Sequence, residues 1–134
     1  MEERINKYKE MRLTFVKPMP GFEGLKEFSL SPLEENDDFF LLKSMEEDLG
    51  LVVVSPFIFK NDYHFTLKDE ITDRLAIESW EEVMVLSVVT LNSDIKRVTL
   101  NLRAPVIINI KSGASMQVIL DNDTYKIKHP LIEE

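Results

Sequence analysis

Alternation of apolar and polar residues with a period of two constrains this chain more than any other feature of its sequence. It is clearest in Arg97–Ala104, and it recurs in Met11–Phe15 and in Asp62–Leu67. Because successive side chains of an extended chain point to opposite faces, each segment is predicted to form a strand with one buried face.

Three further segments are continuously apolar and rich in branched side chains: Phe39–Leu42, Leu51–Val54 and Val83–Leu91. Branched residues pack well in a pleated sheet, and a strand that is covered on both faces needs no polar alternation. These segments are predicted to be central strands of the core.

The C-terminal part of the sequence shows a turn between two strand-like segments. Met116–Leu120 and Thr124–Lys128 flank Asp121-Asn122-Asp123. Because Asn and Asp tolerate the left-handed backbone of a tight loop, we expect a C-terminal hairpin here.

Helical signals are weak and local. Asp69–Ile77 has apolar residues four positions apart, and Ser79 with Glu82 has the spacing of a capping box. We therefore predict an all-β, single-domain antiparallel fold, barrel-like or a sandwich, with one or two short helical turns. The domain is expected to span residues 1–134, with a flexible charged arm at 1–10.

The composition narrows the compartment and the chemistry. The chain has no cysteine, which excludes disulfides, thiolate metal sites and a cysteine nucleophile. The charged N-terminus lacks the apolar segment of a secretory signal, and the apolar runs are far shorter than the roughly 20 residues of a membrane-spanning helix. A cytoplasmic protein with no membrane association is therefore expected.

The charge balance bears on the kind of partner. There are 24 acidic residues against 16 lysines and arginines, a formal net charge of −8. An acidic surface repels phosphate backbones and attracts basic proteins, so we expect no direct nucleic-acid binding and favour a basic protein partner. The alternative is that the acidity serves solubility alone.

The sequence contains no common catalytic motif. It lacks G-x-S-x-G, H-E-x-x-H, a P-loop and G-x-G-x-x-G, and His64 and His129 are interpreted as ordinary strand or rim residues. The segment at 121–123 lacks the Gly and the distal Glu of a calcium loop, so neither a metal nor a cofactor is expected. Paired carboxylates at Asp121/Asp123 or Asp69/Glu70 leave open an alternative, a small-molecule-binding β-barrel or a hydrolase.

Three ordered segments together resemble one protein family. The first is Leu13-Thr14-Phe15 followed by Met19-Pro20-Gly21-Phe22-Glu23, and the second joins Phe40–Ser44 and Leu51–Val54 to Pro56-Phe57 and Asp62-Tyr63. The third comprises Val88-Val89-Thr90, Thr99–Asn109, Gln117–Leu120, Tyr125 and His129-Pro130-Leu131. Their order and spacing resemble the FliW family and cover most of residues 13–131.

This resemblance implies a non-enzymatic flagellar assembly factor. FliW-like proteins bind flagellin and, when freed by its export, bind and antagonise the translational repressor CsrA, which couples flagellin synthesis to export. Flagellin is expected to offer an amphipathic helix to an apolar groove. The candidate partner contacts are Phe22, Glu23, Phe57, Asp62, Tyr63, Asn101 and Arg103. Aromatic residues such as those among them are more often core or loop anchors, and the alternative for Asn101 is that it fixes a turn or a strand end.

Overall fold

A computed structural model describes residues 10–33, 36–121 and 123–133 of the protein and contains one nine-stranded sheet. The strands are β1 (Met11–Phe15), β2 (Glu27–Leu33), β3 (Asn36–Ser44), β4 (Gly50–Val54), β5 (Val83–Thr90), β6 (Thr99–Leu100), β7 (Val106–Asn109), β8 (Ala114–Gln117) and β9 (His129–Pro130). Two short helices, α1 (Pro56–Phe59) and α2 (Asp69–Arg74), and two 3₁₀ turns, Trp80–Glu82 and Ile95–Arg97, complete the elements of these described ranges. None of the helices in these ranges is long and apolar enough to cross a membrane.

Seven of the strands close into a barrel. They are joined in the order β4-β3-β2-β1-β8-β7-β5, and β4 pairs with β5 through Val52–Val54 to complete the ring. The β1–β8 pair is parallel and the other pairs are antiparallel. Strands β6 and β9 extend the sheet from β5 outside the ring. The predicted all-β fold is confirmed, as a barrel.

The barrel has a filled interior and a covered exterior. Alternate side chains of six barrel strands converge in one buried cluster, which includes Leu13, Phe15, Phe28, Leu30, Leu42, Val53, Leu86, Val106 and Ile108. Residues of the opposite parity, such as Val54, Val89, Ile107 and Met116, belong to two other clusters. Since successive strand residues alternate faces, those clusters lie on the outer surface, where the non-strand segments cover the barrel.

Several predicted elements are present. The strand predicted at Met11–Phe15 is β1, and the three apolar runs lie in β3, β4 and β5, except for Leu91, which follows the end of β5. The helical segment predicted from Asp69 is α2, and the predicted turn near Ser79 is the 3₁₀ turn Trp80–Glu82. The predicted N-terminal arm lies outside the described residues except for Glu10.

Two alternating segments do not form the strands that were predicted. Asp62–Leu67 keeps an alternating burial pattern but has no strand partner in the described part of the chain. In Arg97–Ala104, only Thr99–Leu100 joins the sheet, because the Asn101 side chain accepts hydrogen bonds from the N–H groups of Arg103 and Ala104 and turns the backbone. Both segments instead cover the outside of the barrel.

The predicted C-terminal hairpin is wrong. The strand β8 pairs with β7 and β1, and no strand is formed at Thr124–Lys128. The tight turn precedes β8 instead, where Gly113 has φ +85° and donates its N–H to the Asn109 carbonyl at 2.7 Å. Asn122, in the predicted loop, lies outside the described residues.

Candidate functional site

Trp80, the single tryptophan of the chain, projects into solvent with 83% of its surface exposed. It begins a 3₁₀ turn in which Ser79 Oγ accepts the Glu81 N–H at 3.3 Å. The Glu82 carboxylate accepts the Glu78 N–H at 3.1 Å, a bond that lowers the pKa of Glu82. The Lys111 ammonium lies 3.3 Å from the same carboxylate. Two hydrogen bonds and an ion pair therefore stabilise the turn that carries the exposed indole.

A groove of about 750 Å³ lies beside Trp80, and we call it the Trp80 groove. Its lining includes Val83 and Val85 on the outer face of β5, with Phe57, Ile77 and the segment Tyr63–Leu67 around them. Of the lining residues in the described part of the chain, Glu78 carries a carboxylate and none is a lysine or arginine. The groove is therefore mainly apolar, and Phe57, 43% exposed, adds to the accessible apolar surface.

Carboxylates border this groove. Exposed acidic residues directly follow or precede lining residues: Glu81 next to Trp80, Asp73 next to Thr72, and Asp62 next to Tyr63. Lys60 lies 3.2 Å from Asp62, and its hydrogen bond and charge lower the pKa of Asp62. Lys68, which directly follows the lining residue Leu67, is exposed as well. With Glu78 in the lining, four carboxylates stand against Lys60 and Lys68, so the border has a net negative charge.

Tyr63 contacts Phe57 and the loop that contains Asn101 and Arg103, all of which are predicted contact residues. Its ring lies 5.7 Å from that of Phe57 and 4.6 Å from that of Tyr125, and its hydroxyl donates to the Leu102 carbonyl at 2.6 Å. Burial, with a smaller contribution from Tyr125, raises the pKa of the Tyr63 phenol. Because only 3% of Tyr63 is exposed, it supports the groove wall from within.

The Tyr63–Leu102 bond brings the Asn101–Arg103 loop to the same cluster. Asn101 Oδ1 accepts from the N–H groups of Arg103 at 3.1 Å and Ala104 at 3.0 Å, so this side chain shapes the loop. Arg103 is half-buried, and its Nε has no hydrogen-bond partner among the described residues.

Phe22 and Glu23 lie elsewhere, in the loop between β1 and β2. Phe22 packs against the cluster inside the barrel, whereas Tyr63 and Leu102 belong to an outer cluster. The exposed Glu23 accepts the Gly21 N–H at 3.1 Å, and backbone N–H groups of Glu23 and Gly21 lower its pKa. The structure therefore brings together Phe57, Asp62, Tyr63 and the 101–103 loop, with Phe22 and Glu23 in a separate loop.

A second groove, of about 580 Å³, adjoins the first because His64, Phe65 and Thr66 line both. Glu70 and Asp121 line this second groove, but the Asp121 carboxylate forms an ion pair with Lys68. The bond to Asp121 raises the pKa of Lys68, which keeps that pair charged. Among the described residues, no cluster of three or more His, Cys, Asp or Glu side chains could hold a metal ion.

Trp80 was not among the residues predicted from sequence. The signal available was the capping spacing of Ser79 and Glu82, which places Trp80 at the start of a turn rather than inside a strand. Trp80 lies beside the groove because Val83 and Val85 face outward on β5. The sequence alone does not show which face of β5 is the outer one.

Comparisons with known proteins agree on one family. The family model described as FliW protein matches residues 2–131. The flagellar assembly factor FliW of Clostridium botulinum strain Okra is 48% identical over 121 residues, 90% of this chain and 85% of the relative. That of Clostridium tetani is 49% identical over 123 residues, 91% of this chain and 85% of the relative. A crystal structure of the flagellar assembly factor FliW aligns with a TM-score of 0.86 at 34% identity, covering 92% of this chain and 86% of that one.

Proposed function

The chain belongs to the FliW family of flagellar assembly factors, and from this premise we propose that it works as a switch between two protein partners in the cytoplasm. It binds flagellin, and when flagellin is exported the free protein binds and antagonises the translational repressor CsrA. Flagellin synthesis then follows flagellin export. The protein acts by binding and catalyses no reaction.

The Trp80 groove is the observation that carries this proposal. An amphipathic helix binds by laying its apolar stripe into an apolar groove, and the exposed Trp80 and Phe57 rings offer the kind of anchors that dominate such interfaces. The barrel interior is filled with side chains, which favours binding on the exterior over a ligand held inside. Flagellin is the partner that we assign to this groove.

The acidic border of the groove supports the second half of the switch. CsrA binds RNA and is therefore expected to present basic surface, which Asp62, Glu78 and Glu81 would attract. Docking on this border would cover the Trp80 groove. Overlap of the two footprints accounts for mutually exclusive binding.

A competition experiment with purified partners tests the switch. Immobilised protein should retain flagellin and CsrA separately, and added flagellin should displace CsrA. Trp80→Ala should weaken flagellin binding by about 30-fold or more, the usual effect of removing a central aromatic anchor. Leu91→Ala removes a side chain that is 64% exposed and lies outside the groove lining, so it serves as the matched control and should bind as the unaltered protein does.

Two results would contradict the proposal. One is a stable complex with neither partner, and the other is a ternary complex in which each partner binds with undiminished affinity.

A further inference from the structure

The backbone just after β8 forms its hydrogen bonds on one side, toward residues 103–106. Val118 donates its N–H to the Pro105 carbonyl at 2.9 Å, and Leu120 donates to the Arg103 carbonyl at 2.8 Å. In extended chain, consecutive residues direct their N–H and C=O groups to opposite sides. The N–H and C=O groups of Gln117 and Ile119 therefore point away from residues 103–106, toward the side on which β1 pairs with β8. We call these groups the β8 edge.

The strand β1 does not continue far enough to pair with this edge. Its last bond to β8 runs from the Val16 N–H to the Ser115 carbonyl at 2.9 Å. The next acceptor of that ladder, the Val16 carbonyl, instead takes a hydrogen bond from Arg74 Nη2 at 3.1 Å. Pro18, two residues after Val16, has no N–H to donate to this edge. Within the described residues, the main-chain groups of Gln117 and Ile119 on this edge have no hydrogen-bond partner.

The second groove opens along this edge. Gln117, Val118 and Ile119 line it on one side, and Phe65, Ile71 and Pro20 contribute apolar surface around it. Ile119 is 65% exposed. An unpaired row of main-chain donors and acceptors in an open groove is the arrangement to which an extended peptide adds as a further strand.

We propose that the β8 edge receives an extended segment of flagellin, which pairs with Gln117 and Ile119 as an added strand. This inference rests on the proposed function, because it extends the flagellin footprint from the Trp80 groove. His64, Phe65 and Thr66 line both grooves, so a chain that crosses this segment passes from the first groove to the second. The segment carries an apolar side chain at alternate positions, which meets Phe65 and Ile71.

The charge of the second groove's lining favours flagellin over CsrA as its occupant. The second groove is lined by two lysines, Lys17 and Lys68, and by two carboxylates, Glu70 and Asp121. This balance gives no preference for a basic partner, in contrast to the border of the Trp80 groove. Recognition at the β8 edge therefore depends on main-chain hydrogen bonds and apolar contacts, and CsrA binding does not use it.

A pair of substitutions at Ile119 tests the added strand. Ile119→Pro removes the N–H that the flagellin segment would use, and proline is tolerated where the N–H side of an edge faces solvent. Ile119→Thr keeps the N–H and the branched side chain. Flagellin affinity should fall at least tenfold for Ile119→Pro and by less than threefold for Ile119→Thr, while both variants bind CsrA as the unaltered protein does.

Amide hydrogen exchange supplies a second measurement that needs no substitution. Saturation with flagellin should slow exchange of the Gln117 and Ile119 amides at least tenfold. Equal flagellin affinity of the two Ile119 variants, or unchanged exchange at both amides in the complex, would overturn the added strand while leaving the switch intact. Failure of the unaltered protein to bind flagellin would overturn the switch itself, and the added strand with it.

Discussion

At the scale of single residues, buried polar side chains at chain reversals hold distant segments together. Asn109 Nδ2 donates to the Leu75 carbonyl at 2.9 Å and the Ala76 carbonyl at 3.2 Å, while its Oδ1 accepts the Lys111 N–H at 2.9 Å. Ala76, with φ 55°, ends α2 in the left-handed conformation usually given to glycine. One amide therefore fixes the end of a helix to the β7–β8 turn.

Gly113 should be the least replaceable glycine of the chain. A Cβ at this position would lie 2.5 Å from the Arg12 carbonyl oxygen, and the residue has φ +85°. Gly24 also has a positive φ, +94°, but no atom lies within 4 Å of a Cβ there. Gly113→Ala should therefore lower the free energy of unfolding by about 1–3 kcal/mol more than Gly24→Ala, the usual cost of overpacking. Urea unfolding followed by circular dichroism measures the difference, and equal losses would contradict the steric argument.

Glu46 should make the stability of the fold depend on pH in the acidic range. Its carboxylate accepts the N–H groups of Lys26 at 2.7 Å and Glu27 at 2.8 Å, and these bonds, that to Glu27 first, lower its pKa. A lowered folded-state pKa stabilises the fold above the ordinary carboxyl pKa of about 4.5, and this stabilisation is lost as the pH falls through the folded-state value. Glu46→Gln should therefore flatten the loss of stability below that pH.

Thermal unfolding between about pH 6 and pH 3 checks this expectation against the linkage relation. Glu47→Gln changes the exposed neighbouring side chain and serves as the control. If Glu46→Gln and the control lose stability with the same slope as the unaltered protein, the two backbone bonds do not carry the effect.

At the scale of elements, the alternating pattern predicted a strand correctly where the segment both buries one face and pairs with neighbouring strands. Met11–Phe15 alternates because Leu13 and Phe15 enter the barrel and the residues between them face out. Asp62–Leu67 alternates for a different reason, since Tyr63 and Phe65 pack on the barrel exterior and the segment has no strand partner among the residues that the structure describes. Burial on one side produces the same period in both, so the pattern reports a buried face and does not report pairing.

The sequence predicted only those parts of the candidate site whose residues lie close together along the chain. Phe57 and Tyr63 are close in sequence, and their rings are in contact. Val85 reaches the groove beside Trp80 because one face of β5 points outward, and the β8 edge stays open because Arg74 bonds the Val16 carbonyl and Pro18 lacks an N–H. These are long-range consequences of barrel closure, for which residue spacing carries no signal.

Removal of one hydroxyl should loosen the connection between the 56–67 segment and the 101–103 loop. Tyr63→Phe leaves the Leu102 carbonyl without its 2.6 Å bond in a buried setting. An unsatisfied buried acceptor costs about 1–3 kcal/mol, so the free energy of unfolding should fall by this amount. Phe39→Tyr serves as the control. Phe39 packs at the margin of the same cluster, and the substitution adds a hydroxyl to an aromatic ring instead of removing one. An unchanged stability of Tyr63→Phe in urea unfolding would exclude a structural role for this bond.

At the scale of the whole molecule, the net charge of −8 should govern how fast a basic partner arrives. Salt screens exposed charges over about 10 Å at 0.1 M, so association with CsrA, the proposed basic partner, should slow as ionic strength rises, while dissociation changes less. Asp62→Lys should reduce the association rate and its salt dependence, and Glu23→Lys, in a separate loop, tests whether the effect is local. Stopped-flow kinetics from about 50 to about 500 mM salt measures both, and a flat salt profile would remove the electrostatic part of the mechanism.

The indole that projects from the 3₁₀ turn makes the protein its own optical reporter. A water-exposed tryptophan emits at longer wavelength than one in apolar surroundings, and this chain has no second indole to mask the change. Occupation of the groove should shift the emission to the blue and shield the ring from quenchers such as iodide. The occupied fraction can therefore be followed in real time in an unlabelled sample.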